Sequence, residues 1–126
     1  MIKSKYLIHI SIILIIFIID RLSKMYVINL SENLMDLNIS VTSFLNIILV
    51  WNSGIGFGLL QIDKSFAYNL ITIFILIINL IIFYLIFTSD KLQKILFAMI
   101  LGGSLGNFYD RVYYSAVPDF IDLNYN

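Results

Sequence analysis

Residues 66–87 read FAYNLITIFILIINLIIFYLIF, bounded by Lys64 and Asp90. A helix crosses the hydrocarbon core of a bilayer with about 20 apolar residues, so this run has the length of a membrane span. The rest of the chain agrees. Of 126 residues, 60% are hydrophobic and 13% charged, and the mean hydropathy is +0.95. A soluble domain of this size has no room to hide so much apolar surface. The sequence predicts one integral membrane domain. The polar residues of the run are Asn69, Thr72 and Asn79. At about 100° per residue they fall within an arc of about 80°. One stripe is therefore expected to face protein and the remainder lipid.

Two more spans flank this one. The apolar stretch from Tyr6 to Ile19 is short and reaches spanning length only if it continues through Asp20, giving a span over residues 6–28. Lys3 and Lys5 precede it as in a signal peptide, but it ends in Asp20-Arg21 without a small-residue cleavage site, so it is read as retained. The third span covers residues 95–113 and runs through Asp110-Arg111. Spans one and three are parallel, since one antiparallel span separates them. Both Asp-Arg pairs then lie at the same membrane face. Carboxylates at such depth are costly and rarely idle. Gly102, Gly103, Ser104 and Gly106 give span three one small side, read as close packing against another helix.

Between spans one and two, Asn38-Ile-Ser-Val-Thr42 alternates polar and apolar. Phe44 to Trp51 is rich in strand formers, and Asn52-Ser-Gly54 supplies a turn. A small β-sheet over residues 38–60, lying on the membrane surface, is expected. The predicted fold is an all-α integral membrane helical bundle with that sheet between spans one and two. Lys3, Lys5, Lys91 and Lys94 on one side nearly balance Arg21, Lys24, Lys64 and Arg111 on the other. The positive-inside rule is read as placing the amino terminus inside.

Composition narrows the chemistry. Eight basic and eight acidic residues give zero net charge. Without a basic stripe, nucleic acid is not an expected partner. Cysteine is absent, which removes disulfides, thiol catalysis and thiolate metal sites. His9 alone is too little for a zinc site. What remains is acid chemistry. Asp20 and Lys24 are spaced i, i+4 for an ion pair on one face, and Asn107, Asp110 and Arg111 share a face by the same rule. The plainer reading of each is a pair that neutralises or orients a helix end. Asp119, in Pro118-Asp-Phe-Ile-Asp122, has no adjacent base, and its apolar neighbours are expected to desolvate it. Otherwise it is an exposed loop acid. Two carboxylates sharing a proton can activate water and protonate a leaving amine, titrating as a unit.

At this point the chain resembles bacterial lipoprotein signal peptidase (signal peptidase II), an aspartic protease of the inner membrane. Asp20-Arg-Leu-Ser-Lys24 resembles the family's Asp-x-x-Ser/Thr-Lys block. Asn52-Ser-Gly54-Ile-Gly-Phe57 is similar to its Asn-x-Gly-Ala-Ala-Phe block. Leu101-Gly-Gly-Ser-Leu-Gly-Asn107-Phe-Tyr-Asp110-Arg111 resembles its Gly-Gly-x-x-Gly-Asn-x-x-Asp-Arg block. Val117-Pro-Asp119-Phe-Ile-Asp122 stands where the family has Val-Val-Asp-Phe. Four blocks in order, across nearly the whole chain, carry the resemblance.

The resemblance implies a four-helix bundle with cytoplasmic termini, of which three spans are present, and an extracytoplasmic sheet that cradles substrate. It implies cleavage of a diacylglyceryl-modified prolipoprotein before its lipidated cysteine, in a multi-pass, monomeric inner-membrane enzyme with an extracytoplasmic active site. It implies no metal or organic cofactor. By position, Asp119 matches the first catalytic aspartate, and Asn107 and Arg111 line the substrate site. Asp110, Asp20 and Lys24 support it, and Asn52 and Gly54 belong to the cradle.

Departures are Ile55 and Gly56 where the family has two alanines, and Pro118 ahead of Asp119. The family's second catalytic aspartate lies on a fourth helix beyond Asn126. Asp122 is the only later acid, and it sits awkwardly for a dyad. A chain truncated before its fourth helix, with doubtful activity of its own, is therefore expected. Two alternatives remain. One is an inactive homologue that binds lipidated peptides. The other is a small transport or proton-relay protein using His9, Asp20 and Asp110.

Overall fold

The structure, a computed structural model, describes residues 2–53 and 64–124. Three helices and three strands follow in the order α1 (Ile2–Asn33), β1 (Asn38–Ser40), β2 (Leu45–Asn52), α2 (Lys64–Thr88), α3 (Lys91–Tyr114) and β3 (Val117–Leu123). The predicted spans all form helices, each running beyond the expected bounds. The second half of the predicted β segment, with Gly54, Ile55, Gly56 and Phe57, lies outside the described residues.

α1 and α2 are long and apolar enough to cross a membrane, with mean hydropathies of 2.0 and 3.0 over their apolar stretches. Their burial separates them from soluble core helices. Only 6% of the apolar window of α1, and 11% of that of α2, is buried. Leu7, Ile18, Leu22, Ile73, Phe74 and Ile77 all point outward. Large apolar side chains on the outside and few within describe a protein whose solvent is lipid. The chain is accordingly a mostly helical membrane protein with a small sheet.

α3 packs against both other helices. Asn79 of α2 meets Ser104 of α3 through a short hydrogen bond donated by the Ser104 hydroxyl to Asn79 Oδ1. Tyr68, early in α2, meets Arg111, late in α3, so these two helices are antiparallel. Ile13 and Ile16 of α1 face Gly102, while Asp20 faces Gly106. Numbers rise together, so α1 and α3 are parallel, and both Asp-Arg pairs lie at one end as the sequence implied. The interior is small. Ile86, Ala98 and Leu101 are buried, with Ile12, Ile13, Ile82, Phe97 and Leu105 packed around them.

The glycines decide how closely α1 and α3 approach. A Cβ on Gly102 would stand 2.8 Å from the Ile13 carbonyl oxygen, and one on Gly106 would stand 2.7 Å from Asp20 Cγ. Real Cβ contacts are essentially never that short, so a side chain at either position forces its neighbour on α1 to shift. Gly103 faces open space.

The sheet corrects one expectation. It is antiparallel with the order β1-β2-β3, so it is not confined to the segment between the first two helices. Its third strand follows α3 and carries Asp119, which the sequence had left in a loop. Ser115, in the left-handed conformation at φ 59°, ends α3 and turns the chain into β3. Pro118 discouraged a strand reading. It is tolerated because it stands next to a bulge between Ile47 and Val50 of β2, where the ladder is already interrupted.

Candidate active site

Four charges meet where α1 and α3 touch at the sheet end. Asp110 is wholly buried. Its Oδ2 lies 2.7 Å from Lys24 Nζ, and its Oδ1 lies 2.5 Å from Arg21 Nη1. Asp20 completes the ring, at 2.9 Å from both Lys24 Nζ and Arg21 Nη2. Lys24 also donates to Asn107 Oδ1 at 2.8 Å. Its three N–H groups thus have three acceptors, Asp20, Asp110 and Asn107. Two acids and two bases sum to zero, which is what permits them to be buried together. The Arg21 guanidinium also stands 4.8 Å over the Tyr109 ring, a cation–π contact.

The i, i+4 pair of Asp20 and Lys24 is present as the sequence suggested. The expected Asp110–Arg111 pair is not. Asp110 points to α1 and takes its arginine from there, whereas Arg111 points to α2. Adjacent helical residues diverge by about 100°, and here Asp110 turns to α1 while Arg111 turns to α2. Tyr68 Oη donates to the Arg111 carbonyl at 2.7 Å, satisfying an oxygen in the last turn of α3. The Arg111 guanidinium lies 5.9 Å from the Tyr68 ring. Its Nε and Nη1 are buried without a hydrogen-bond partner.

Asp119 sits on the neighbouring sheet, opposite Val50. Its Oδ2 accepts from Asn52 Nδ2 at 3.0 Å, across the strands on the same face. It is exposed, so its apolar neighbours in sequence do not desolvate it. Asp119 and Lys24 line one cavity of about 250 Å³ with Pro118, Phe120 and Ile121. The structure thus brings Asp20, Lys24, Asn107 and Asp110 into one cluster, and Asn52 onto Asp119. Gly54 is outside the described residues. Asp122 pairs with Asn46 at 3.5 Å. It is three residues along the strand, so its side chain leaves the opposite face from Asp119, and the two cannot form a dyad.

His9 is buried, with Nδ1 unpartnered, beside Tyr6. It lies three helical turns below Asp20, whose carboxylate is engaged by Lys24 and Arg21. No hydrogen-bonded chain of side chains joins them among the described residues. The described residues also hold no cluster of metal-ligating side chains.

Sequence reasoning missed Arg21 and Tyr68. Arg21 was seen only as half of an Asp-Arg dipeptide, and its cross-helix partner needs the helix pairing to be known. Tyr68 lay within an apolar run, where a tyrosine carries no signal of its own.

The geometry can be set beside known proteins. The family model described as "Signal peptidase (SPase) II" matches residues 12–126. A lipoprotein signal peptidase of Pelagibacter ubique is 49% identical over 123 residues, covering 98% of this chain and 74% of the relative. That of Rickettsia akari is 35% identical, covering 92% of this chain and 60% of the relative. A bacterial membrane enzyme solved at 1.9 Å by the in meso method is similar, with a TM-score of 0.68 and 31% identity. The match covers 94% of this chain and 77% of that one. A second such enzyme, solved at 2.3 Å, matches with a TM-score of 0.70 and 28% identity, over 92% of this chain and 70% of that one.

Proposed function

The chain belongs to the lipoprotein signal peptidase (signal peptidase II) family of membrane proteases, and from that premise we propose that Asp119 is one catalytic carboxylate of an aspartic endopeptidase. The substrate is a diacylglyceryl-modified prolipoprotein, cut before its lipidated cysteine. In this reading residues 1–126 form part of a single membrane domain. α3 is its third span, the sheet lies on the extracytoplasmic side of the inner membrane, and the enzyme acts as a monomer. The observation that carries the reading is the position of Asp119. It is exposed on an edge strand, held by Asn52, and lines a cavity beside a charge cluster that leaves it uncommitted.

The roles divide by what each group can still do. Asp20, Arg21, Lys24 and Asp110 neutralise one another, so they fix the ends of α1 and α3 rather than react. Asn107 ties that cluster to the substrate side. Arg111 offers two unpaired donors for a carbonyl or ester oxygen of the substrate. Asn52 orients the Asp119 carboxylate, and Gly54 continues the cradle.

Peptide hydrolysis by aspartates needs two carboxylates, one to take a proton from water and one to protonate the leaving nitrogen. Asp20 and Asp110 are engaged by bases, and Asp122 faces away. The match covers 74% of the Pelagibacter relative, and we propose that the remaining portion of that relative supplies a second carboxylate. The test is a chimera joining residues 1–126 to that portion of the Pelagibacter relative, assayed on a lipid-modified prolipoprotein in detergent micelles. Cleavage should occur and should fall by at least about 10³-fold in Asp119→Asn, which is the scale of losing an essential general acid or base. Retained cleavage in Asp119→Asn would remove Asp119 from the mechanism.

A further inference from the structure

β3 ends the sheet, so one of its edges has no neighbouring strand among the described residues. The ladder fixes which backbone groups that edge presents. The Asn124 N–H donates to the Phe44 carbonyl at 2.9 Å, and the bonding side alternates along an antiparallel strand. Asp122 and Phe120 therefore turn their N–H and C=O groups toward β2, while Leu123, Ile121 and Asp119 turn theirs outward. The bulge does not upset this alternation, because its additional residue lies on β2, between Ile47 and Val50. Pro118 falls in the inward set and costs the ladder one bond beside the bulge. No backbone partner for the outward groups of Asp119 or Ile121 is found among the described residues.

The cavity lies against this same edge. It touches Pro118, Asp119, Phe120 and Ile121, together with Lys24. Successive side chains of a strand leave opposite faces. A space in contact with four consecutive residues reaches the strand's backbone as well as its side chains. Free edges are ordinarily blunted by a bulge, a charge or a covering segment. Here the bulge is on the inner strand, and no covering segment pairs with the free edge among the described residues.

We propose that this edge receives the peptide substrate as a fourth, extended strand, paired to the N–H and C=O groups of Asp119 and Ile121. This rests on the peptidase reading and adds the binding mode. Donors and acceptors repeating every second residue are matched by another polypeptide. An acyl chain offers no such groups. A strand paired there runs about 4.8 Å from β3, which brings its backbone alongside the Asp119 carboxylate.

The experiment is a set of lipid-modified peptides, each carrying one N-methyl group at successive residues around the cleavage position. Their binding to the 126-residue chain in mixed micelles is measured as Kd. Cleavage is not needed, so failure of the peptidase reading would show separately, as an unmodified peptide that binds but is never cut by the chimera. Strand pairing predicts an alternating pattern. Every second N-methyl weakens binding about three- to tenfold, the loss of one hydrogen bond, and the positions between change it less than about twofold. A flat profile, a profile without alternation, or no binding of the unmodified peptide overturns the proposal. On the protein side, Ile121→Pro deletes an outward amide without touching β2 and should weaken binding by the same factor, whereas Ile121→Val should not. If Ile121→Pro fails to fold, the peptide series still decides.

Discussion

A methyl group added at Gly106 tests whether the charge cluster depends on the α1–α3 approach. The new Cβ would stand 2.7 Å from Asp20 Cγ and 3.3 Å from Asp20 Cβ. Either the helices separate or the Asp20 carboxylate swings away from Lys24 and Arg21. Overpacking of this kind costs about 1–3 kcal/mol. Displacing a carboxylate from two charged donors adds about 1.5–3 kcal/mol. Replacing a helical glycine by alanine returns about 1 kcal/mol. Gly106→Ala should therefore lose about 1.5–5 kcal/mol, the sum of these ranges. Gly103→Ala, whose Cβ meets nothing within 4 Å, should be neutral or gain up to about 1 kcal/mol. Equilibrium unfolding in mixed micelles reads both. The double mutant isolates the cause. Asp20→Ala removes the atoms that Gly106→Ala strikes, so the two should couple by about 1–3 kcal/mol, within the range seen for contacting residues. Equal stabilities of the two alanine variants, or additive behaviour with Asp20→Ala, would refute the steric account.

Other perturbations separate structure from chemistry. Asp110→Asn leaves Arg21 and Lys24 short of a buried counter-charge and should cost about 3–5 kcal/mol, read by unfolding. Asp119→Asn, at an exposed site, should leave stability within about 0.5 kcal/mol of the parent while abolishing cleavage by the chimera. Ser104→Ala unpairs Asn79 Oδ1 between α2 and α3 and should cost about 0.6–2 kcal/mol, the range for interhelical hydrogen bonds in lipid. Tyr68→Phe keeps the ring under Arg111 but loses the bond to its carbonyl. It should cost about 1 kcal/mol and raise KM of the chimera more than it lowers kcat.

How much of this was legible in the sequence depends on the range of the interaction. The helices were, because apolar length needs no partner to be read. Residues 66–87 announced α2, and Asp20-Lys24 announced an i, i+4 pair. The parallel course of α1 and α3 followed from counting spans. What failed was pairing between distant segments. Asp110 was matched to its sequence neighbour Arg111, whereas its partners, Arg21 and Lys24, come from a different helix. β3 was hidden because Pro118 is a poor strand residue unless a neighbouring bulge is known, and its partner β2 is more than 60 residues earlier. The glycines were read as packing, and the structure agrees for Gly102 and Gly106 but not for Gly103. Among the site residues, Asp20, Lys24, Asn107 and Asp110 do converge. Asp119 and Asn52 meet on the sheet instead, held by a hydrogen bond between strands.

The measurement that bears most directly on the central claim is cleavage of a diacylglyceryl-modified prolipoprotein by the chimera and by its Asp119→Asn form, with Tm and peptide Kd recorded on the same samples. The account predicts unchanged Tm, near-parental Kd and no cleavage in the variant. Cleavage by Asp119→Asn at the parental rate would contradict it.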